Sequence, residues 1–94
     1  MSAVTRLADL CTGHGPYGPQ VNDQASTNVF VNSRGAHRKG DHWITHCAFI
    51  FCHDSNLQSG SSSVYVNGKQ LGRVGDPIIC GSHVATGSSN VFSG

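Results

Sequence analysis

One phrase occurs twice in full in this chain and a third time split between its two ends. Thr27-Asn28-Val29-Phe30-Val31-Asn32 leads on to Arg38-Lys39-Gly40-Asp41, and Ser62-Ser63-Val64-Tyr65-Val66-Asn67 leads on to Arg73-Val74-Gly75-Asp76. The back half of the third copy, Arg6-Leu7-Ala8-Asp9, opens the chain, and the front half, Gly87-Ser88-Ser89-Asn90-Val91-Phe92, closes it. A repeat cut in this way is completed only if the two ends meet in space. The expected object is a closed, three-sided unit built from one polypeptide. At the join, Phe92-Ser93-Gly94 lacks the Val-Asn of the other copies, which leaves the third face the least defined.

Composition says how such a unit can be held together. Ninety-four residues make one small domain, so residues 1–94 are expected to form a single unit with no extension beyond it. Hydrophobic residues are 37% of the chain, and twelve glycines with one Met and one Trp leave little side-chain mass to pack. A chain of this kind is expected to need a metal, a disulfide or a partner. Charged residues are 12% and the net charge is +1, which argues against a nucleic-acid-binding stripe or a polybasic membrane segment. No apolar run reads as a signal peptide or membrane span, so synthesis and folding in the cytoplasm are expected. There, four cysteines beside six histidines read as metal ligands or free thiols more readily than as disulfides.

Helical periodicity is missing, and the fold class predicted is all-β, from short hairpins. Val29-Phe30-Val31 and Val64-Tyr65-Val66 are β-branched and aromatic runs. Asn67-Gly68, and more weakly Asn32-Ser33, supply turn residues that tolerate positive φ. Leu71-Gly72-Arg73-Val74 reads as a returning strand. Asp9, Asp41 and Asp76 close the three units and are expected to bond backbone amides and fix the turns that follow. A Gly/Pro-rich loop, Gly13 to Pro19, follows the first aspartate. A longer insert, about His42 to Ser59, follows the second and holds Trp43, Phe49, Phe51 and three histidines.

Counting from each aspartate aligns candidate metal ligands. Asp9 plus five is His14, Asp41 plus five is His46, and Asp76 plus four is Cys80. Three-fold closure would bring these toward one axis, and the longer insert offers His53 as a fourth. His14, His46, His53 and Cys80 would make a closed tetrahedral structural site, suited to zinc or iron rather than calcium or magnesium. Cys11 and His83, each in a Cys-x-x-His spacing, compete for places in it, as do His42, Cys47 and Cys52. Cys47 and Cys52 are also spaced for a short disulfide, and His37 reads as a hydrogen-bonded structural histidine. HExxH, Gly-x-Ser-x-Gly and the P-loop are all missing, so enzyme activity is not expected.

Val64 to Asp76, Cys11-Thr12-Gly13-His14-Gly15, Ala36 to Asp41 and the closing Gly-Ser-Ser-Asn-Val-Phe together resemble the proline-alanine-alanine-arginine (PAAR) repeat proteins over essentially the whole chain. The eponymous tetrapeptide itself is replaced by Gly35-Ala36-His37-Arg38 and Gln70-Leu71-Gly72-Arg73, as in a divergent, phage-like branch. The resemblance implies a conical all-β tip with a zinc held by three histidines and one cysteine at its apex. It implies one chain capping a trimeric spike, VgrG-like in type VI secretion or the central spike of a contractile phage tail. Such a tip pierces the target membrane and is delivered outside the cell or into a target cell. Val29, Val64 and Val91, with Val31 and Val66, would present the apolar base to the trimer. The rival readings are a zinc-stabilised adaptor for effector cargo, a small zinc hydrolase and a disulfide-stabilised secreted protein.

Overall fold

The chain's structure, a computed structural model, describes the backbone of residues 1–48 and 51–94 and the side chains of residues 1–45 and 52–94. The described residues include eight strands: β1 (Ser2–Ala3), β2 (Phe30–Val31), β3 (Arg34–Gly35), β4 (His42–Ala48), β5 (Phe51–Asn56), β6 (Tyr65–Val66), β7 (Lys69–Gln70) and β8 (Phe92–Ser93). They form four antiparallel pairs, β1–β8, β2–β3, β4–β5 and β6–β7, and no helix occurs among the described residues. The all-β expectation holds. The body is elongated, 37 × 24 × 22 Å.

The two ends meet, because β8 pairs with β1 with Ser93 opposite Ser2 and Phe92 opposite Ala3. That pair is the third copy of the β2–β3 and β6–β7 hairpins. Both intact hairpins turn through two residues of positive φ, Asn67 and Gly68 at 54° and 76°, and Asn32 and Ser33 at 53° and 65°. Only that mirror-image turn matches the strand twist, so serine adopts the conformation its repeat mate gives to glycine.

The returning strands are shorter than the sequence suggests. The strand ends at Gln70; Leu71 still bonds Val64 O of its own hairpin, but from there the chain turns to the neighbouring repeats: Leu71 also bridges Arg38, and Arg73 bridges Val4. Arg6 bridges Ala36 in the same manner. One residue from each repeat closes a ring of backbone hydrogen bonds. Thr5 N donates to Gly72 O (3.0 Å), Gly72 N to His37 O (2.8 Å) and His37 N to Thr5 O (3.1 Å). The ring is the pseudo-three-fold axis, and it satisfies buried backbone groups that three separate hairpins would leave bare. Gly72 is required there, since a Cβ would sit 2.9 Å from Leu57 Cδ2 and 3.1 Å from His37 O.

Below the ring lies one apolar cluster, with the repeat-equivalent Val4, Ala36 and Leu71 joined by Val66. Above it lies a second, of Cys11, Trp43, Leu57, Ile78 and Val84. Cys11, Trp43 and Ile78 each stand two residues after a closing aspartate. The His37 ring touches Trp43 edge-on (centroids 5.2 Å), so the ring layer joins the two clusters.

The aspartates act as expected on backbone amides, but on the turn before them rather than after. Asp9, Asp41 and Asp76 each accept from the amide of the arginine three residues earlier, at 2.7, 2.9 and 2.7 Å. Each also takes two bonds from that guanidinium. A carboxylate with three donors stays ionised in a nearly dry site. Burial opposes ionisation of Asp9, but the bonds from Arg6 and Thr86 outweigh it and hold the carboxyl below its ordinary range.

A second three-fold device is a buried serine. Ser26, Ser61 and Ser88 accept amide bonds from Val29, Val64 and Val91. Ser26 and Ser88 then donate to the hairpin asparagines Asn67 and Asn32 of other repeats. The third repeat has no such asparagine, and Ser61 donates instead to the Gly94 carbonyl at 2.6 Å. The face left least defined by the sequence is therefore closed by backbone in place of a side chain.

The insert forms regular structure. It is the longest hairpin, β4–β5, with His42 opposite Asn56 and Trp43 opposite Ser55. Phe49 and Ile50 lie outside the described residues.

Candidate metal centre

His14 stands in a four-residue turn. His14 N donates to Tyr17 O (2.9 Å) and Tyr17 N to His14 O (2.8 Å), with Gly15 at φ 53° as the first of two central residues. Gly13 lets the chain fold this tightly, because a Cβ there would lie 2.6 Å from Tyr17 O. The turn gives His14 a fixed origin without any neighbouring strand.

His53 lies on β5. The register slips by one residue on β4 between Trp43 and His46, a β-bulge. Continuing the Trp43–Ser55 pairing without it would set Thr45 across from His53; the extra residue makes the partner His46. Cys80 lies in a turn closed by Gly81 N to Ile78 O (2.9 Å), and the Ser55 hydroxyl accepts its amide (2.9 Å). Ser55 is two residues from His53, so one strand locates both groups.

These elements bring His14, His53 and Cys80 together, with their donor atoms all within 4.8 Å of one another. The two imidazole Nε2 atoms are 3.0 Å apart. Ligand bonds of zinc length at tetrahedral angles put two nitrogens roughly 3.3 Å apart and a nitrogen and a sulfur roughly 3.6 Å apart. The imidazole pair is near that spacing, and the thiol must close by about 1 Å at most. The donor set, two imidazoles and a free thiol, fits a borderline-soft ion such as zinc or ferrous iron. All three groups are half-buried. The side chain of His46, the remaining expected ligand, lies outside the described residues.

The competing candidates go elsewhere. His42 is held between two carboxylates, Nδ1 to Asp23 at 2.6 Å and Nε2 to Asp54 at 2.8 Å. Its pKa is raised by the bond to Asp54 and then by that to Asp23. His83 is exposed, and its backbone bonds Thr12. Cys11 is buried and its sulfur accepts from Gln20 N (3.3 Å). Cys52 is disulfide-bonded, the first of the two readings that its spacing from Cys47 left open; the register sets it directly across from Cys47. His37 is structural, as expected. Burial pushes its pKa down, and the neutral ring donates from Nδ1 to Gln24 O (2.8 Å). Tyr17, packed on the histidine pair, is a member of the site that no ligand spacing pointed to.

At the other end lies an open apolar depression of about 400 Å³ lined by Val29, Val31, Val64, Val66, Val91 and Leu71, among others. The repeat-equivalent Val29, Val64 and Val91 are 38%, 39% and 37% exposed. Three nearly equal exposures make this face three-fold in its surface as well as its backbone.

The sequence pattern of one known family, the PAAR motif, matches residues 12–86. Two curated relatives, both from Pseudomonas aeruginosa, are the NAD(P)(+) glycohydrolase toxin Tse6 and the (p)ppApp synthetase toxin Tas1. Each is 38% identical over 77 residues, covering 76% of this chain but only 18% of the relative.

Proposed function

The chain belongs to the PAAR-motif family, and from that premise we propose that it is the structural tip of a contractile injection machine, capping a trimeric spike with its apolar base. The observation that carries the reading is the closed backbone ring of Thr5, His37 and Gly72 above three equivalently exposed valines. One chain thereby offers three copies of one surface, which suits a partner with three copies of the matching surface. The spike would be VgrG-like in a type VI secretion system or the central spike of a phage tail. The tip would reach the target membrane first.

At the narrow end a structural zinc is held by His14, His53 and Cys80, with His46 as the fourth ligand from its register position opposite His53. A piercing end too thin for a large core gains rigidity from ligand bonds that it cannot gain from packing. Elemental analysis is expected to find one zinc per chain and its loss in His14→Ala, His53→Ala and Cys80→Ala. Full occupancy in all three would remove this ligand set.

Docking is tested on the exposed positions. Val66 is buried in the base cluster and Val31 packs against it, so charges there would also damage the fold. Val64→Asp with Val91→Asp should leave the chain folded and abolish co-elution with a purified spike trimer. Retained co-elution would end the proposal.

The relatives support a second reading, an adaptor joining effector cargo to the spike, because the matched region is a small part of two toxins. Enzyme activity is not part of either reading. Cargo that co-purifies with the chain in the absence of spike would favour the adaptor.

A further inference from the structure

Tyr17 is packed against both histidines of the metal centre. Its ring centroid is 4.9 Å from that of His14 at a 35° tilt, and 4.3 Å from that of His53 in an edge-on contact at 67°. The two imidazoles are themselves 4.9 Å apart and tilted by 32°. The three rings form one cluster with Nε2 of both histidines facing each other.

The backbone makes this placement stiff. His14 and Tyr17 exchange both of their backbone hydrogen bonds across Gly15-Pro16, so they are direct cross-strand partners. Such partners project from the same side of the pair, a few ångströms apart. Gly13 permits the close approach of the Tyr17 carbonyl, and Pro16 restricts the turn. The loop therefore delivers one ligand and one aromatic ring as a unit. The ring meets a second ligand, His53 on β5, that is 39 positions from His14 in the sequence.

We infer that Tyr17 is a positioning residue of the metal centre: its ring holds the His14 and His53 imidazoles in their liganding orientation and covers the ion against exchange. The inference rests on the metal reading above. An imidazole that is free to rotate must be ordered each time it binds the ion. A ring packed against it has already removed that freedom, so the gain appears mainly as slower release. It is the aromatic face and bulk that act, because both contacts are between ring systems.

The test loads the whole chain with zinc and follows release to an excess of a chromogenic chelator. Tyr17→Ala should release the ion about tenfold to a hundredfold faster, the range typical of groups that orient ligands from outside the coordination shell. Tyr17→Phe should stay within about threefold of wild type by the same scale. Tyr17→Leu, which keeps apolar bulk without the ring, should fall between them and guards against a general loss of the loop. The Co(II)-loaded Tyr17→Ala protein should also show a shifted visible spectrum, while its metal-free unfolding temperature stays near wild type. If wild type binds zinc and Tyr17→Ala releases it at the wild-type rate, the inference fails and the metal centre stands. A Tyr17→Phe that behaves like Tyr17→Ala overturns the role of the ring. If wild type holds no zinc, the metal reading and this inference fall together.

Discussion

The axis and the candidate metal centre are built on opposite plans. Around the axis each repeat contributes the same parts: one member of the amide ring, one Arg-x-x-Asp turn and one buried serine. At the metal centre nothing occurs twice. His14 comes from a two-residue turn, His53 from a strand beside a bulge, and Cys80 from a glycine turn. Backbone hydrogen bonds can repeat because they need no particular side chain. A tetrahedral centre takes one ligand more than three repeats supply alike, so a site of that kind needs at least one repeat to differ from the others. The difference teaches that closure around the axis is spread over repeated backbone bonds, while the candidate site depends on a few side chains from unlike segments.

The largest effect should come from breaking one of the repeated devices. Asp41 is fully buried and holds Arg38 by two bonds and its amide by a third. Asp41→Ala should cost about 3–5 kcal/mol in denaturant unfolding, as for other buried pairs that lose one partner. A loss below about 1 kcal/mol would mean that the three units do not share the load. The carboxylates also set an acid limit. With its folded pKa lowered, Asp9 contributes stability above its ordinary value of 3.8 that is lost as pH falls through the folded value. Stability should therefore drop below about pH 4, and less so in Asp9→Asn.

Withdrawing the metal probes the other plan. At a metal concentration of 100 to 1,000 times Kd, chelation should remove about 3–4 kcal/mol. Hydrogen exchange should then rise at residues 13–19 and along β4–β5, while the amides of Thr5, His37 and Gly72 stay protected. Equal loss of protection in both regions would erase the contrast.

Two smaller changes sharpen it. Ser33 holds the left-handed conformation that Gly68 holds in the next repeat. Ser33→Gly should stabilise by about 0.5 kcal/mol, the αL penalty less the extra freedom of glycine in the unfolded chain. The smallest effect is expected at His42, whose folded pKa is raised. The stability it adds is complete below its ordinary value of 6.5 and is lost as pH rises through the raised one. The difference between wild type and His42→Gln should shrink accordingly from pH 6 to pH 8, by thermal unfolding.

Much of the scaffold was legible because it is written three times. The pairing of the ends, the Asn67-Gly68 turn and the closing aspartates all follow from aligning Val29, Val64 and Val91. The crossing of Leu71-Gly72-Arg73 to neighbouring repeats was not legible, since strand propensity is blind to which strand becomes the partner. The same limit left the insert without an assigned structure, where the fold has β4–β5, and left Cys52 open between a disulfide and the metal shell. At the site, spacing from the aspartates led to His14 and Cys80, because turns of fixed length deliver them. Tyr17 carries no ligand atom of the usual kind and left no such signal.

The sequence by itself determined a closed three-sided all-β unit, since a split repeat has only one way to be completed. It also determined a chain rich in soft metal ligands and poor in core. Only the tertiary structure decided which ligands meet. That choice depends on a one-residue bulge, on a turn that sets Tyr17 beside His14, and on the loss of His42 to Asp23 and Asp54. Each is a contact between segments distant in the chain, where shifts of a few ångströms decide the outcome and local sequence carries no record of them.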